Sequence, residues 1–298
     1  MFKTDSIIIW LLFIFNPIWG IEFIQNPMSL FKEPVSALTA AAGGIKTFNS
    51  NNVSNILKFT HSPTKGMGFY KSNIFYKGNK RDYFLMRWGI DDIPNTSSAW
   101  INTGSAPESN QIDYTQISEF DSKEITFLFT APIPKYKIMI VPQISNATLN
   151  DASAFGLGLH VIKQFQFSEK LEVTTYVYDL ISFRLWSTDR NEFYLPSLDI
   201  GITRRTENYL LGINLGSNLH ELNYKFGVCW KLHEKFSIIG GSSTQNTFSI
   251  GASITINIGQ LEIAYLSPQN NLPVENSQIY TLMLDLDKLG LGIKKLSP

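Results

Sequence analysis

The sequence predicts an all-β protein, a closed antiparallel transmembrane β-barrel preceded by a short N-terminal plug segment. Three observations carry this. Apolar and polar residues alternate with a period of two through most of the chain. The alternating segments run to about 9–11 residues, the length of a tilted bilayer crossing, where globular strands average about 5–6. Beyond the first twenty residues no apolar run approaches the length of a membrane helix.

The chain starts with an export-like segment. In "MFKTDSIIIWLLFIFNPIWG", Lys3 precedes the apolar run Ile7 to Phe15, and Asn16-Pro17 and Gly20 follow it. That run is too short to span a bilayer and suits the core of a secretory signal, so cleavage is expected after about Gly20. The alternative is an uncleaved anchor. Residues 1–20 are therefore assigned to the signal and 21–298 to the barrel. Within the barrel, 21–60 is the plug or cap segment. Asn26 to Phe48, Ala-rich and Gly-punctuated, reads as a short helix rather than a strand.

From Met67 onward the sequence reads as roughly a dozen strands. In "FSIGASITINIG", Phe248, Ile250, Ala252, Ile254, Ile256 and Ile258 alternate with Ser249, Gly251, Ser253, Thr255, Asn257 and Gly259. "LNYKFGVCWK", "FGLGLHVI" and "YLLGINLG" repeat the pattern, with turn signals such as "LGSN", "HEK" and "RTEN" between segments. One apolar face and one small or polar face suit a wall between lipid and a crowded or wet lumen. Such strands satisfy their backbone groups in lipid only by closing into a ring. Trp88, Trp186, Tyr209, Trp230 and Tyr265 near strand ends read as an interfacial girdle. The last segment, Leu289 to Lys294, alternates and is expected to close the barrel.

Composition agrees. Charged residues make up 17% of the 298 residues and aromatic residues 13%, a low charge content for a soluble globular domain. The 25 basic and 25 acidic residues balance, which gives no reason to expect a nucleic-acid partner. The single cysteine, Cys229, excludes an intramolecular disulfide and reads as a buried or wall-facing thiol rather than a nucleophile.

Charged side chains on the polar faces should point inward, because Arg or Lys facing lipid costs about 2–4 kcal/mol at the midplane. Glu124, His160, Glu172, Lys225 and Glu262 are the lumen-facing candidates, and Asp285 and Asp287 read as packed lumen charges. None of the four histidines lies in a zinc-binding spacing, and no GxSxG motif surrounds a serine. The reading is therefore non-enzymatic, with no cofactor. "GIDDIPNTSSAW" carries Asp91 and Asp92, which lack the longer ligand pattern of an EF-hand. Pro94 is expected to end the ladder of the preceding strand, making this stretch a strand-to-loop corner. Asp91, Asp92, Pro94, Asn95 and Trp100 are the candidate partner contacts, continuing through the polar run to Asp113.

The Ala-rich segment ending in Gly43-Gly44, the Asn-rich turn after it and the "GIDDIPNT" loop together resemble the PorV/PorQ family. These are outer-membrane barrels related to FadL fatty-acid transporters. Asp92-Ile93-Pro94 matches the family's loop, while His61-Ser62-Pro63 stands where an Asn-Pro-Ala motif is usual. The resemblance implies a barrel of about 14 strands with an N-terminal segment folded inside it. It also implies an outer-membrane location in contact with lipid. One implied role is a platform for protein export or surface attachment with type IX secretion-system proteins or their exported substrates. The alternative is FadL-like transport of hydrophobic small molecules through the barrel wall, marked by an apolar pocket under the plug and a gap in that wall. A soluble secreted β-protein is the third reading.

Overall fold

In the computed structural model the described residues are 21–24, 36–42, 44–45, 54–63, 69–95, 114–218, 221–244, 246–268 and 277–291. The expected signal segment lies outside them, as do Trp100 and the rest of 96–113. Period-two alternation has produced strands almost throughout. They are β1 (Ile21–Ile24), β2 (Ile56–Pro63), β3 (Phe69–Lys77), β4 (Asp82–Asn95), β5 (Ser118–Phe129) and β6 (Ala131–Ile133). Next come β7 (Ile138–Leu149), β8 (Ala152–Ser168), β9 (Leu171–Trp186), β10 (Asn191–Tyr194), β11 (Ser197–Arg205) and β12 (Tyr209–Asn218). The last are β13 (Glu221–His233), β14 (Phe236–Ser243), β15 (Asn246–Ile256), β16 (Gly259–Pro268) and β17 (Ser277–Asp285). One helix of more than a 3-10 turn is described, α1 (Ala37–Ala41).

Fourteen strands form a closed antiparallel ring. Each pairs with the next along the chain, passing over β6 and β10, and β17 pairs with β2 to close the ring. β1, β6 and β10 lie outside it, and β1 runs parallel to β10. The connections after β3, β8, β12's predecessor β11, β13 and β15 are short turns at one end. The chain on both sides of the ring, before β2 and after β17, emerges at this same end. The opposite end carries the longer connections after β4, β9 and β16, an asymmetry typical of outer-membrane barrels.

The two faces have the expected chemistry. Ile144, Phe155, Ile200, Ile213, Phe226 and Ile250 are exposed on the outside, whereas Thr126, Ser145, Thr174, Thr203, Asn214 and Ser249 are buried inside. Outward apolar and inward small polar side chains are what a tilted strand between lipid and lumen requires.

Four sequence expectations fail in detail. The ring begins at Ile56 rather than near Met67. β17 closes it, and Leu286–Gly290 form turns, because β2 ends its pairing at Asp285. Asp285 and Asp287 therefore sit at a strand-end corner, where Asp285 pairs with Lys288 and Asp287 accepts from Asn55. Trp88 and Trp186 face inward: in β4, Leu85 and Arg87 point out, so Trp88 shares the inner side with Met86. Only Tyr209, Trp230 and Tyr265 of the expected girdle stand on outward positions.

Candidate functional site: the plugged lumen and a break in its wall

α1 lies inside the ring against β13 to β17. Its start is fixed by a capping box in which Ser36 Oγ accepts from the Thr39 amide and Thr39 Oγ1 accepts from the Ser36 amide. The next two amides have no partner within a helix, and the wall supplies them. Ala37 N–H donates to Thr281 Oγ1 at 2.8 Å, and Leu38 N–H donates to a Glu262 carboxylate oxygen at 2.9 Å. At the other end Ser249 Oγ donates to the Ala41 carbonyl at 2.8 Å.

Small residues let the two surfaces meet. A Cβ on Gly251 would lie 2.7 Å from that of Ala41, and one on Gly227 would lie 2.5 Å from the Ala42 carbonyl. Ala37, Ala40, Ala41, Ala42 and Ile45 are buried against Ile239, Ala264 and Ile279, with half-buried Cys229 beside them. After the helix Gly44 takes φ +88, a conformation natural to glycine. A Cβ added to Gly44 would lie 3.6 Å from Cδ of Lys225, which places the glycine over the lysine stem.

Lys225 continues the contact across the lumen. Its ammonium lies 3.7 Å from Asp199, whose other neighbour is the phenol of Tyr178, donating at 3.3 Å. A side chain on Gly216 would collide with the Asp199 carboxylate, so glycine makes that position available. Further round the wall Glu124 pairs with Arg184 at 2.8 Å and accepts from Thr126. Arg184 stacks over Trp186 and Tyr194, and Tyr194 donates to Glu192, which also meets Arg190.

Tyr178 stands next to an irregularity in the wall. Leu159 pairs with Ile181 and Val161 with Val177, so Tyr178, Asp179 and Leu180 of β9 face His160 alone. Asp179 has φ 51. The alternation doubles here: Tyr178 and Asp179 are both buried, while Leu180 and Ile181 are both exposed. On the other side β9 pairs with β11 up to Tyr178 and with β10 from Phe183. Asp179–Ser182 thus have no ladder partner on that side among the described residues. The Oγ atoms of Ser182 and Ser197, at the edges of this break, are buried and make no hydrogen bond among the described residues.

His160 holds the inner side of the break and is fully buried. Its Nδ1 accepts the Asp179 amide N–H at 3.0 Å, which leaves Nε2–H to donate to Gln143 Oε1 at 2.9 Å. The same Nδ1 lies 3.9 Å from the Asp179 carboxylate.

The sequence candidates divide into two groups. Glu124, His160, Lys225 and Glu262 belong to the lumen contacts above. Glu172 is half-buried near the short-turn end, accepts from Thr174 at 3.0 Å, and lines a hollow of about 370 Å³ with Met139 and Ile162. A second hollow of about 370 Å³ opens beneath α1, lined by Lys58, Arg205, Lys231, Glu234 and Glu262. The pocket under the plug is therefore polar, not the apolar one expected of a hydrophobic path. Apolar inner surface lies instead on the far wall, where Met86, Leu128, Val141, Tyr176 and Tyr178 cluster.

Asp91, Asp92, Pro94 and Asn95 are not part of the lumen. Asp92 takes φ 58 in a bulge between Ile90 and Ile93. Its amide donates to Asp121, which holds Lys123 at 2.6 Å, and Asp91 lies 3.5 Å from the same ammonium. Pro94 does not end the ladder, for it pairs opposite Glu119. β3 stops pairing at Ile90, so beyond that point β4 has, among the described residues, a partner on one side only, and a one-sided strand tolerates a missing N–H.

Asp199, Arg184, Glu192, Thr281 and Tyr178 were not singled out in the sequence. Alternation marks several of them: Leu198, Ile200 and Ile202 point out, which places Asp199 inside. The break has a fainter mark, the adjacent apolar pair Leu180-Ile181.

No family model and no curated protein matches the chain. Solved structures that share its architecture include two transporters. The toluene transporter TodX of P. putida gives a TM-score of 0.56 at 7% identity, covering 85% of this chain and 99% of that one. The toluene transporter TbuX of Ralstonia pickettii gives 0.51 at 10%, covering 86% and 99%. The fold is that of an outer-membrane channel. At these identities the likeness is one of fold, and the PorV/PorQ resemblance gains no match of its own.

Proposed function

We propose that this protein is a non-enzymatic outer-membrane channel that passes hydrophobic small molecules, with α1 as its plug and the β9 break as an outlet through the wall. The break carries the reading. A solute leaving through Asp179–Ser182 would pass from the inner apolar cluster around Tyr176 and Tyr178 to the exposed Leu180 and Ile181 without crossing the polar short-turn end. The toluene transporters of the same architecture support the substrate class. Residues 1–20 would supply the export signal.

Removing Asp179 and Leu180 places one residue, Tyr178, opposite His160 and restores the β8–β9 register. Uptake of radiolabelled toluene into cells expressing this variant should fall to that of cells without the protein, while the barrel still shows heat-modifiable gel migration. Unchanged uptake by the folded variant would refute the outlet.

A platform role of PorV/PorQ type, with secretion-system proteins or exported substrates as partners, is the second reading. The observation favouring it is the β4–β5 ribbon, which continues past the end of β3 to Asn95 and Ser118. A pull-down from outer membranes with and without residues 96–113 separates the two readings.

A further inference from the structure

The outer wall of β2, β3 and β4 carries a polar notch. His61 pairs with Ser72 and Ser72 with Arg87 in one outward-facing row. On one side that row continues into Tyr280 and Ile263, and on the other into Ile125. Polar groups thus replace apolar ones at three consecutive positions between Tyr280 and Ile125.

The notch is built. His61 Nδ1 is 2.9 Å from Ser72 Oγ. Arg87 donates to the Tyr70 phenol oxygen at 3.1 Å, and its guanidinium lies 5.2 Å from the Tyr70 ring centroid. Tyr70 reaches Arg87 because Gly89 has no side chain, for a Cβ there would lie 2.7 Å from the phenol oxygen. Among the described residues no carboxylate pairs with Arg87. Directly beside His61 and Ser72 runs a groove of about 650 Å³ walled by Phe59, Ile74, Leu261, Ile263, Tyr280 and Leu282.

An unneutralised arginine on the outside of a barrel is costly away from the interface. An anionic oxygen partner removes that cost and matches the fork of the guanidinium. The hydrocarbon groove continuous with the lipid-facing surface specifies the rest of the partner. We infer that this face holds a membrane lipid, its phosphate on Arg87 with His61 and Ser72 beside it and an acyl chain in the groove. The site depends on the ring standing in a membrane and not on any channel activity, so it survives or fails independently of the proposed transport.

The test is native mass spectrometry of the full barrel released from micelles containing phosphatidic acid or a diacylglycerol of the same chains. The wild type should retain phosphatidic acid over diacylglycerol. R87Q should weaken that retention about tenfold, the effect of losing one charge-assisted contact, and R87K should restore part of it. A252F, which fills the groove, should weaken both lipids. Gel migration confirms that each variant is folded. Equal retention of the two lipids, an indifferent R87Q, displacement of lipid by millimolar inorganic phosphate, or a dimer in place of a lipid adduct would each overturn the assignment.

Discussion

Lys225 and Asp199 join the plug to the broken wall: the ammonium lies 3.7 Å from the carboxylate, Gly44 faces the lysine stem with room for no more than a methyl between them, and Tyr178 donates to the same aspartate. Both side chains are largely buried, so removing one leaves the other uncompensated, a loss of about 3–5 kcal/mol for a buried pair. Lys225→Met should lower the temperature at which the barrel loses its folded gel mobility. It should also raise the frequency of open events in planar bilayers. A stable, silent variant would show that the pair does not hold the plug.

The fit of α1 against the wall predicts a contrast between two inward glycines. Gly251→Ala brings a methyl to 2.7 Å from Ala41 and 2.5 Å from the Ile263 carbonyl, whereas Gly201→Ala meets nothing nearer than 3.8 Å. Overpacking of this kind costs about 1–3 kcal/mol. Denaturant titrations should therefore separate the two variants, with Gly201→Ala close to wild type.

At the break, His160→Phe keeps an aromatic ring but removes the acceptor for the Asp179 amide and the donor to Gln143. An unsatisfied buried group costs about 1–3 kcal/mol. Hydrogen–deuterium exchange should accelerate in the peptide spanning Asp179 and remain unchanged in β13 to β15. His160→Gln, which can supply both functions, should exchange more slowly than His160→Phe.

The Asp121–Lys123 clasp lies on the ribbon at the rim. The hydrogen bond from Lys123, then the one from the Asp92 amide, holds the Asp121 carboxyl below its ordinary range. A depressed folded-state value means the clasp favours the folded ribbon above the ordinary carboxylate range, near pH 4. That contribution is lost as pH falls through the depressed value. The Asp92 amide resonance should titrate with an inflection below the ordinary aspartate range, and Asp121→Asn should abolish it.

Closure, the antiparallel order and the inward placement of Glu124, Lys225 and Glu262 were legible because period-two alternation reports directly on which face a residue occupies. Pro94 and the closing strand were misplaced because both depend on where a neighbouring strand stops, which alternation does not encode. β3 ends its pairing at Ile90 and β2 ends its own at Asp285. Trp88 and Trp186 were misread because being near a strand end says nothing of side; counting parity from Leu85 or Leu185 would have placed them inside. The polar lining under α1 was hidden because Lys58, Arg205 and Lys231 come from strands far apart in sequence.

Thr281 joins its own strand to two other segments. It accepts from Ala37, shares a 2.9 Å contact with Thr60 and sits on the last ring strand. These partners are 244 and 221 residues away along the chain. Contacts of such separation form late, after the entropy of closing long loops has been met. The ring therefore cannot seal until nearly the whole chain is in place, and the strand that seals it supplies one of the contacts that hold α1, beside those from Glu262 and Ser249. A barrel that closed with α1 outside it would leave Thr281 and Glu262 on its inner wall without the two amides they accept in the finished ring.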